Sequence, residues 1–203
     1  MTALPHFIIP KKKQKLPQPK LLTFVDYARF TPLDSGNYEL HNGKIIYIPT
    51  PLFPHQSIVG NLLFLLGYFV KNNKLGVVVS APMDVILTEN DTVQPDILFI
   101  SQDRLNIIDG QIKGAPDLVV EIQSGGNTKK EMSYKKHLYE SSGVKEYWLI
   151  NPEKKTLTQY ENIEGEFFPK NVLNTAPSES LREGVLKAIV VEGFELKIGD
   201  IFA

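Results

Sequence analysis

The sequence predicts one α/β (α+β) domain with a mixed central sheet flanked by helices. Two observations lead to this fold class. Apolar strand-like runs alternate with helical segments along the chain. The 203 residues, 42% hydrophobic and 22% charged, have the composition of one globular domain with a sizeable core. We expect residues 1–21 to form a flexible basic arm and residues 22–203 to form the domain.

The basic arm has two readings. It is rich in lysine and is interrupted by Pro10, Pro17 and Pro19, so it is expected to have no fixed structure. It either contacts nucleic acid or is a solvated tail. Its lysines are Lys11, Lys12, Lys13, Lys15 and Lys20.

The domain begins with a short helix and a hairpin. Thr23 can cap a helix through Phe30, with Asp26 in the reciprocal position of a capping box. Asn42 and Gly43 follow between two strand-like runs, and this pair predicts a two-residue hairpin turn.

A long helix is predicted next, from Pro54 to about Asn73, with Gly76 as its end. It is apolar on most of its circumference, which indicates burial between a sheet and another element. Its most apolar part, Ile58–Val70, is shorter than the ~20 residues that cross a bilayer, so we expect a core helix. The N-terminus lacks the features of a secretory signal, and we expect a cytoplasmic location and no membrane contact.

Strands and a second helix complete the predicted domain. The helix is capped by Asn127 or Thr128, runs to Ser142 and ends at Gly143. The residues after the last predicted strand resemble late strands that close the sheet. The predicted strands are Val77–Ser80, Val85–Leu87, Ile97–Ile100, Leu118–Ile122, Glu146–Ile150 and Thr156–Tyr160.

Charge and composition narrow the function. The net charge is −1, which argues against a surface built wholly for nucleic acid, so any such binding must be local. The absence of cysteine excludes disulfides and thiolate metal sites. Carboxylates and four histidines remain as metal ligands, and oxygen ligands favour magnesium, manganese or calcium.

Glu121 lies in the middle of an apolar strand, where an unpaired carboxylate is costly. Asp117 is ~13 Å away along the same strand, too far to share an ion. Asp96 opens the preceding strand. If the two strands are antiparallel neighbours and Ile100 pairs with Asp117, Asp96 faces Glu121 with ~5 Å between β-carbons. Two carboxylates at this distance require a cation or a shared proton.

Lys135 is the candidate cation. On the second helix it shares a face with Met132, Leu138 and Tyr139, at spacings of three and four residues, so it is directed towards the core. One interpretation is that its stem covers apolar surface while the ammonium reaches water. The other is that the acidic pair beneath the helix holds the ammonium and that the two together polarise a phosphate or a water.

A set of short motifs extends this pattern. In order they are YEL at 38–40, NG at 42–43, His55, VQPD at 93–96, PDLVVE at 116–121, Lys135, Tyr139 and GVKEYW at 143–148. Their order and spacing, from about residue 22 to residue 160, resemble the Uma-two family. That bacterial family, formerly a domain of unknown function, belongs to the PD-(D/E)XK restriction-endonuclease-like superfamily.

The resemblance implies a nuclease core that uses Mg²⁺, or Mn²⁺ in its place. Asp96 matches the first acid of the motif and Glu121 the second. Both would bind the metal, with the Ile122 carbonyl as a third ligand. The lysine usually found two residues after the second acid is replaced by Gln123, which can hydrogen-bond a water. The resemblance places the displaced lysine on the following helix, at Lys135, where it would stabilise developing phosphate charge.

Other residues have two interpretations each. Glu39 matches an early family glutamate that would hold a second ion or orient water, or it is a half-exposed hairpin residue. His55 would contact a phosphate, or it is a plain helix-start residue. Asp84 is an outer acid or a turn residue. Tyr147 and Trp148 would be a stacking platform for bases, or they are core residues, which is what we expect.

Three functions follow from this sequence. The first is a Mg²⁺-dependent endonuclease acting on DNA, expected as a homodimer because the two strands of a duplex need two sites. The second is a catalytically weak or inactive nuclease-fold module that binds nucleic acid or protein, an alternative favoured by Gln123. The third is a metal-dependent hydrolase of small phosphate esters.

Overall fold

The computed structural model describes residues 20–30, 38–125, 128–175 and 184–202. The predicted basic arm falls almost wholly outside these residues and stays a prediction. The helices are α1 (Phe24–Phe30), α2 (Phe53–Asn72), α3 (Lys129–Ser142) and α4 (Ile198–Ile201), with a 3₁₀ helix over Gln102–Ile107.

The strands form two six-stranded mixed sheets and one small two-stranded sheet among the described residues. In chain order they are β1 (Tyr38–His41), β2 (Lys44–Tyr47), β3 (Gly76–Ser80), β4 (Val85–Thr88), β5 (Asp91–Val93), β6 (Ile97–Ser101), β7 (Ile108–Asp109), β8 (Gln111–Lys113), β9 (Leu118–Ile122), β10 (Glu146–Asn151), β11 (Thr156–Ile163), β12 (Glu166–Asn174), β13 (Val185–Lys187) and β14 (Glu195–Lys197). The predicted fold class, a mixed α/β (α+β) domain with flanking helices, is confirmed.

One six-stranded sheet, called the main sheet below, has the strand order β12-β11-β10-β9-β6-β3. In it β9 and β10 are parallel, while β6 is antiparallel to both β3 and β9. The second sheet has the order β2-β1-β5-β4-β8-β7, with β4 and β8 parallel. Strand β6, which Asp96 immediately precedes, and strand β9, which contains Glu121, are therefore neighbours inside the main sheet, and this places the two acidic residues side by side.

The predicted turns and caps are present. Asn42 and Gly43 have φ of 47° and 67°, the left-handed pair that a two-residue hairpin between β1 and β2 requires. Thr23 and Asp26 exchange capping hydrogen bonds at the start of α1. Thr128 caps α3 through the Glu131 amide, and α3 ends at a left-handed Gly143.

Three expectations need correction. Gly76 does not end α2, which stops at Asn72; it opens β3 with φ 147°, in tight contact with the backbone of β6. The short strand β5 and the 3₁₀ helix were not predicted. Of the residues after Tyr160, β12 does extend the main sheet beside β11, as expected, whereas β13 and β14 pair only with each other and are followed by α4.

Helices α2 and α3 cover opposite faces of the main sheet. The inner face of α2 packs on one side, through Ile58, Leu62, Leu66 and Val70. Leu138 and Tyr139 of α3 pack on the other. By length and composition alone, α2 is also apolar enough to cross a membrane, but its inner face forms part of the core, as predicted.

Candidate active site

The carboxylates of Asp96 and Glu121 lie on neighbouring segments, Asp96 immediately before β6 and Glu121 in β9. Ile97 pairs with Val120 in an antiparallel register, and one further step sets Asp96 opposite Glu121, as the sequence predicted. The two residues line one cavity of about 360 Å³ together with Glu39 and Lys135. The predicted acidic pair and its lysine therefore lie at one place.

Lys135 is buried, with a relative exposure of 6%. Its Nζ lies 2.7 Å from Glu121 Oε1 and 3.0 Å from Glu39 Oε1. The interpretation in which the ammonium reaches water is therefore wrong. Burial opposes its charge, but Glu121 and Glu39 outweigh that cost and raise the pKa of Lys135, so the ammonium stays protonated.

Glu39 is part of this cluster and not a half-exposed hairpin residue, since its exposure is only 1%. Its Oε2 lies 2.6 Å from His41 Nε2, and its Oε1 accepts a hydrogen bond from the Gln94 amide at 2.8 Å. Burial opposes ionisation, but Lys135 and His41 bring the pKa of Glu39 to about 2. Asp84 does not contact Glu39 directly but helps to position Gln94, because it accepts a hydrogen bond from the Gln94 side-chain amide at 2.8 Å.

Glu121 differs from Glu39 in its charge state. Tyr139 donates a hydrogen bond to its Oε1 at 2.6 Å. Burial has the largest effect on the pKa of Glu121 and raises it, while the charge of Lys135 lowers it. The negative charges of Asp96 and Glu39 add to the effect of burial, and the pKa of Glu121 is raised to about 7. One ammonium cannot fully offset three carboxylates, so Glu121 is the group that takes up a proton near neutrality.

Asp96 is held by His55 and by the backbone of β9. Its Oδ2 lies 3.2 Å from His55 Nε2 and accepts the Ile122 amide at 2.7 Å. The imidazole is buried. Burial disfavours its charged form, but the hydrogen bond and charge of Asp96, with Glu121 behind, raise the pKa of His55. His55 is therefore a component of the site, not a plain helix-start residue.

The carboxylate pair suits a hard divalent cation. Within the described ranges, the protein hydrogen bonds of Asp96 fall on Oδ2 and those of Glu121 on Oε1, so each keeps one oxygen for a ligand. No group of three or more histidine or acidic side chains converges on one point there. Magnesium is commonly bound by only one or two carboxylates and keeps several waters, so the donor set fits it. Ile122 lines the cavity, and its carbonyl as a third ligand stays a prediction.

Gln123 is not brought to the carboxylates. Its Oε1 accepts a hydrogen bond from Asn151 Nδ2 at 2.5 Å, and the residue lines a second, neighbouring cavity. The side chain that replaces the usual lysine thus ties the end of β9 to the end of β10.

Asp117 forms a separate buried site. It pairs with Arg104 at 2.8 Å and Lys145 at 2.7 Å, and it accepts the amide of Ser101. It ties the start of β9 to the end of β6, whereas Glu121 lies near the other end of β9. Tyr147 and Trp148 are fully buried, which confirms their predicted place in the core.

Sequence reasoning missed two partners of the cluster. Tyr139 was placed on the core face of α3 and in the family pattern but was given no role in the site, yet its hydroxyl donates a hydrogen bond to Glu121. The spacing of four residues from Lys135 could have shown this, because side chains at that spacing point the same way. His41 was not singled out, although its position two residues after Glu39 on one strand places both on the same face.

Comparisons with known proteins agree with this architecture. The Uma2 family model, described as "Putative restriction endonuclease", matches residues 24–192. The fold is similar to a crystal structure of "a putative nuclease belonging to DUF820" from Anabaena variabilis, with a TM-score of 0.72 and 20% identity, over 89% of this chain and 97% of that chain. No curated protein matches the chain.

Proposed function

The chain belongs to the Uma2 family, and on this basis together with the acidic cavity we propose that it is a Mg²⁺-dependent endonuclease that hydrolyses DNA phosphodiester bonds. One observation carries the proposal. A buried, permanently charged Lys135 lies 2.7 Å from Glu121, in a cavity that Asp96 shares. The cavity thus places two carboxylates that can bind a cation, Asp96 and Glu121, next to the positive charge of Lys135.

Asp96 and Glu121 would hold the metal. His55 and the Ile122 amide fix one oxygen of Asp96, and Tyr139 with Lys135 fixes one oxygen of Glu121, so the remaining oxygens need little reorganisation. When bound, Mg²⁺ would supply charge neutralisation at the phosphate and a lower pKa for an attacking water.

Lys135 would bind a non-bridging phosphate oxygen. An ammonium has three N–H donors, and in the part of the chain that the structure describes, two of them meet Glu39 and Glu121. The third is available to the substrate. Because Glu39 holds the ammonium from one side, its position is set before the phosphate arrives, and such preorganised charge stabilises the negative charge that develops in the transition state.

The test is cleavage of supercoiled plasmid with Mg²⁺ or Mn²⁺. We expect nicking that EDTA abolishes and that Asp96→Ala reduces to background. Asp109→Ala, the same change at an exposed surface pair with Lys113, should cleave at the wild-type rate. Absence of nicking, or nicking that Asp96→Ala leaves unchanged, would refute the proposal.

A second candidate is a nuclease-fold module that binds nucleic acid without efficient chemistry. It is favoured by the position of Gln123, which is engaged by Asn151 instead of the acidic cavity. Retained DNA affinity without metal-dependent cleavage would select it, whereas turnover confined to small phosphate esters would indicate a phosphoesterase. The homodimer stays a prediction, and light scattering on the purified chain tests it.

A further inference from the structure

A second cavity, of about 580 Å³, lies beside the acidic one. Helix α3 separates them: Lys135 lines the acidic cavity, whereas Met132 and Lys136 line the second. His55 and Ser124 line both, so the two spaces share a wall. Whatever occupies the second cavity is therefore adjacent to the group bound at the acidic pair.

The inner wall of this cavity carries a polar group without a partner. Tyr147 is fully buried, and among the described residues its hydroxyl has no hydrogen-bond partner. Its ring is fixed by packing against Tyr139, Tyr160 and Phe167. A buried hydroxyl left unpaired is unfavourable, and its presence in a cavity wall points to a ligand or water that completes it.

The remaining walls suit a nucleotide. Leu52, Met132 and Leu149 supply apolar surface, and two lysines, Lys129 and Lys136, face the cavity against one carboxylate, Glu153. Lys136 is held in place, with Nζ 4.1 Å above the centre of the Tyr160 ring. An apolar pocket with a few polar groups and a positive edge fits a base and the phosphate attached to it.

We propose that this cavity binds one unpaired nucleotide of the substrate strand, next to the phosphodiester at Asp96 and Glu121. This inference rests on the proposed nuclease function and narrows the substrate to single-stranded or locally unpaired DNA. A base inside a duplex is stacked and paired and cannot enter a pocket with a buried tyrosine in its wall. A volume of about 580 Å³ lies in the range of small-molecule pockets and admits a single nucleotide.

The test is a binding measurement that requires no chemistry. Fluorescence anisotropy of a labelled 12-mer, single-stranded or duplex, is recorded with the wild-type chain in EDTA. We expect tighter binding of the single strand. Tyr147→Phe, which removes one oxygen and keeps the ring, should weaken single-strand binding roughly 2- to 10-fold and leave duplex binding unchanged. Lys136→Gln should weaken the single strand and lower its salt dependence.

Tyr68→Phe is the control, because it removes the same oxygen from an exposed ring on α2 that does not line the cavity. We expect it to bind as the wild type does. Equal affinity for both DNA forms, or a Tyr147→Phe variant of wild-type affinity, would overturn the inference.

Plasmid nicking by the same preparation separates this failure from failure of the proposed function. Plasmid nicking together with equal affinity for single-stranded and duplex DNA in the anisotropy measurement refutes the cavity assignment alone. No nicking, together with single-strand binding that depends on Tyr147, refutes the nuclease and leaves a nucleotide-binding cavity.

Discussion

Replacing Lys135 by methionine tests the electrostatic core of the site. Methionine has a similar length and fits the same buried space, so the change removes the ammonium and little else. Removing one partner of a buried ion pair costs about 3–5 kcal/mol, because the other charge stays buried without compensation. Lys135 contacts two such carboxylates, Glu39 and Glu121.

The cost should fall near the lower end of that range. Glu121, with a pKa of about 7, can take up a proton once the ammonium is gone. Glu39 keeps His41 and the Gln94 amide as partners. We therefore expect a loss of about 3 kcal/mol in the free energy of unfolding. For a domain of this size that corresponds to a fall in melting temperature of about 6–12 °C.

Urea unfolding followed by Trp148 fluorescence measures this loss. Trp148 is the single tryptophan of the chain and is fully buried, so its emission reports on the core. Lys130→Met, on an exposed position of the same helix, is the matched control and should change stability by less than about 0.5 kcal/mol. A Lys135→Met loss below about 1 kcal/mol, the value of an exposed pair, would refute the argument that the cluster is a desolvated unit.

Three further predictions concern single side chains. Tyr139→Phe removes the 2.6 Å hydrogen bond to Glu121 and should cost about 1–3 kcal/mol in urea unfolding, with slower plasmid nicking. Burial opposes the charge of Asp117, but Lys145 and its other partners lower the pKa of this carboxyl from 3.8. The ionised Asp117 therefore stabilises the fold above about pH 4, and this stabilisation is lost as the pH falls through the pKa of the folded state. The free energy of unfolding should therefore decrease more steeply in acid for the wild type than for Asp117→Asn. Gly76→Ala would set a β-carbon 2.1 Å from a backbone carbonyl oxygen and should prevent β3 from pairing normally, seen as a loss of the cooperative unfolding transition.

The sequence predicted the parts of the site that depend on strand periodicity. Asp96 and Glu121 could be aligned because side chains on antiparallel neighbours face each other at fixed spacing, and one assumed pairing determined the rest. The direction of Lys135 was left open, because helical periodicity identifies a face but not whether the ammonium continues to solvent. The structure decides this through Glu39, which comes from another sheet and is 96 positions away in the chain.

The parts that failed depend on long-range contacts with weak local signals. The C-terminal residues have strand-like composition, but the connection between β13 and β14 is held by Glu146, whose buried carboxylate accepts the amides of Ile189 and Val190 at 2.8 and 2.9 Å. No local pattern links positions more than forty residues apart. The hydrogen bond between Gln123 and Asn151 likewise needed the parallel pairing of β9 and β10, which the sequence did not specify.

Under the proposed function, the position of Lys135 explains why Gln123 can stand where a lysine is usual. The side chain at position 123 is bonded to Asn151 on β10 and does not line the acidic cavity. Lys135 is anchored by α3 and by Glu39, and Glu39 is in turn positioned by His41 and the Gln94 amide. The ammonium is thus fixed by two elements outside β9, and fixed charge is what transition-state stabilisation requires. Gln123→Lys would add a second cation near a site that already has one, so we expect no gain in nicking rate; a clear increase would show that Lys135 does not fill the role.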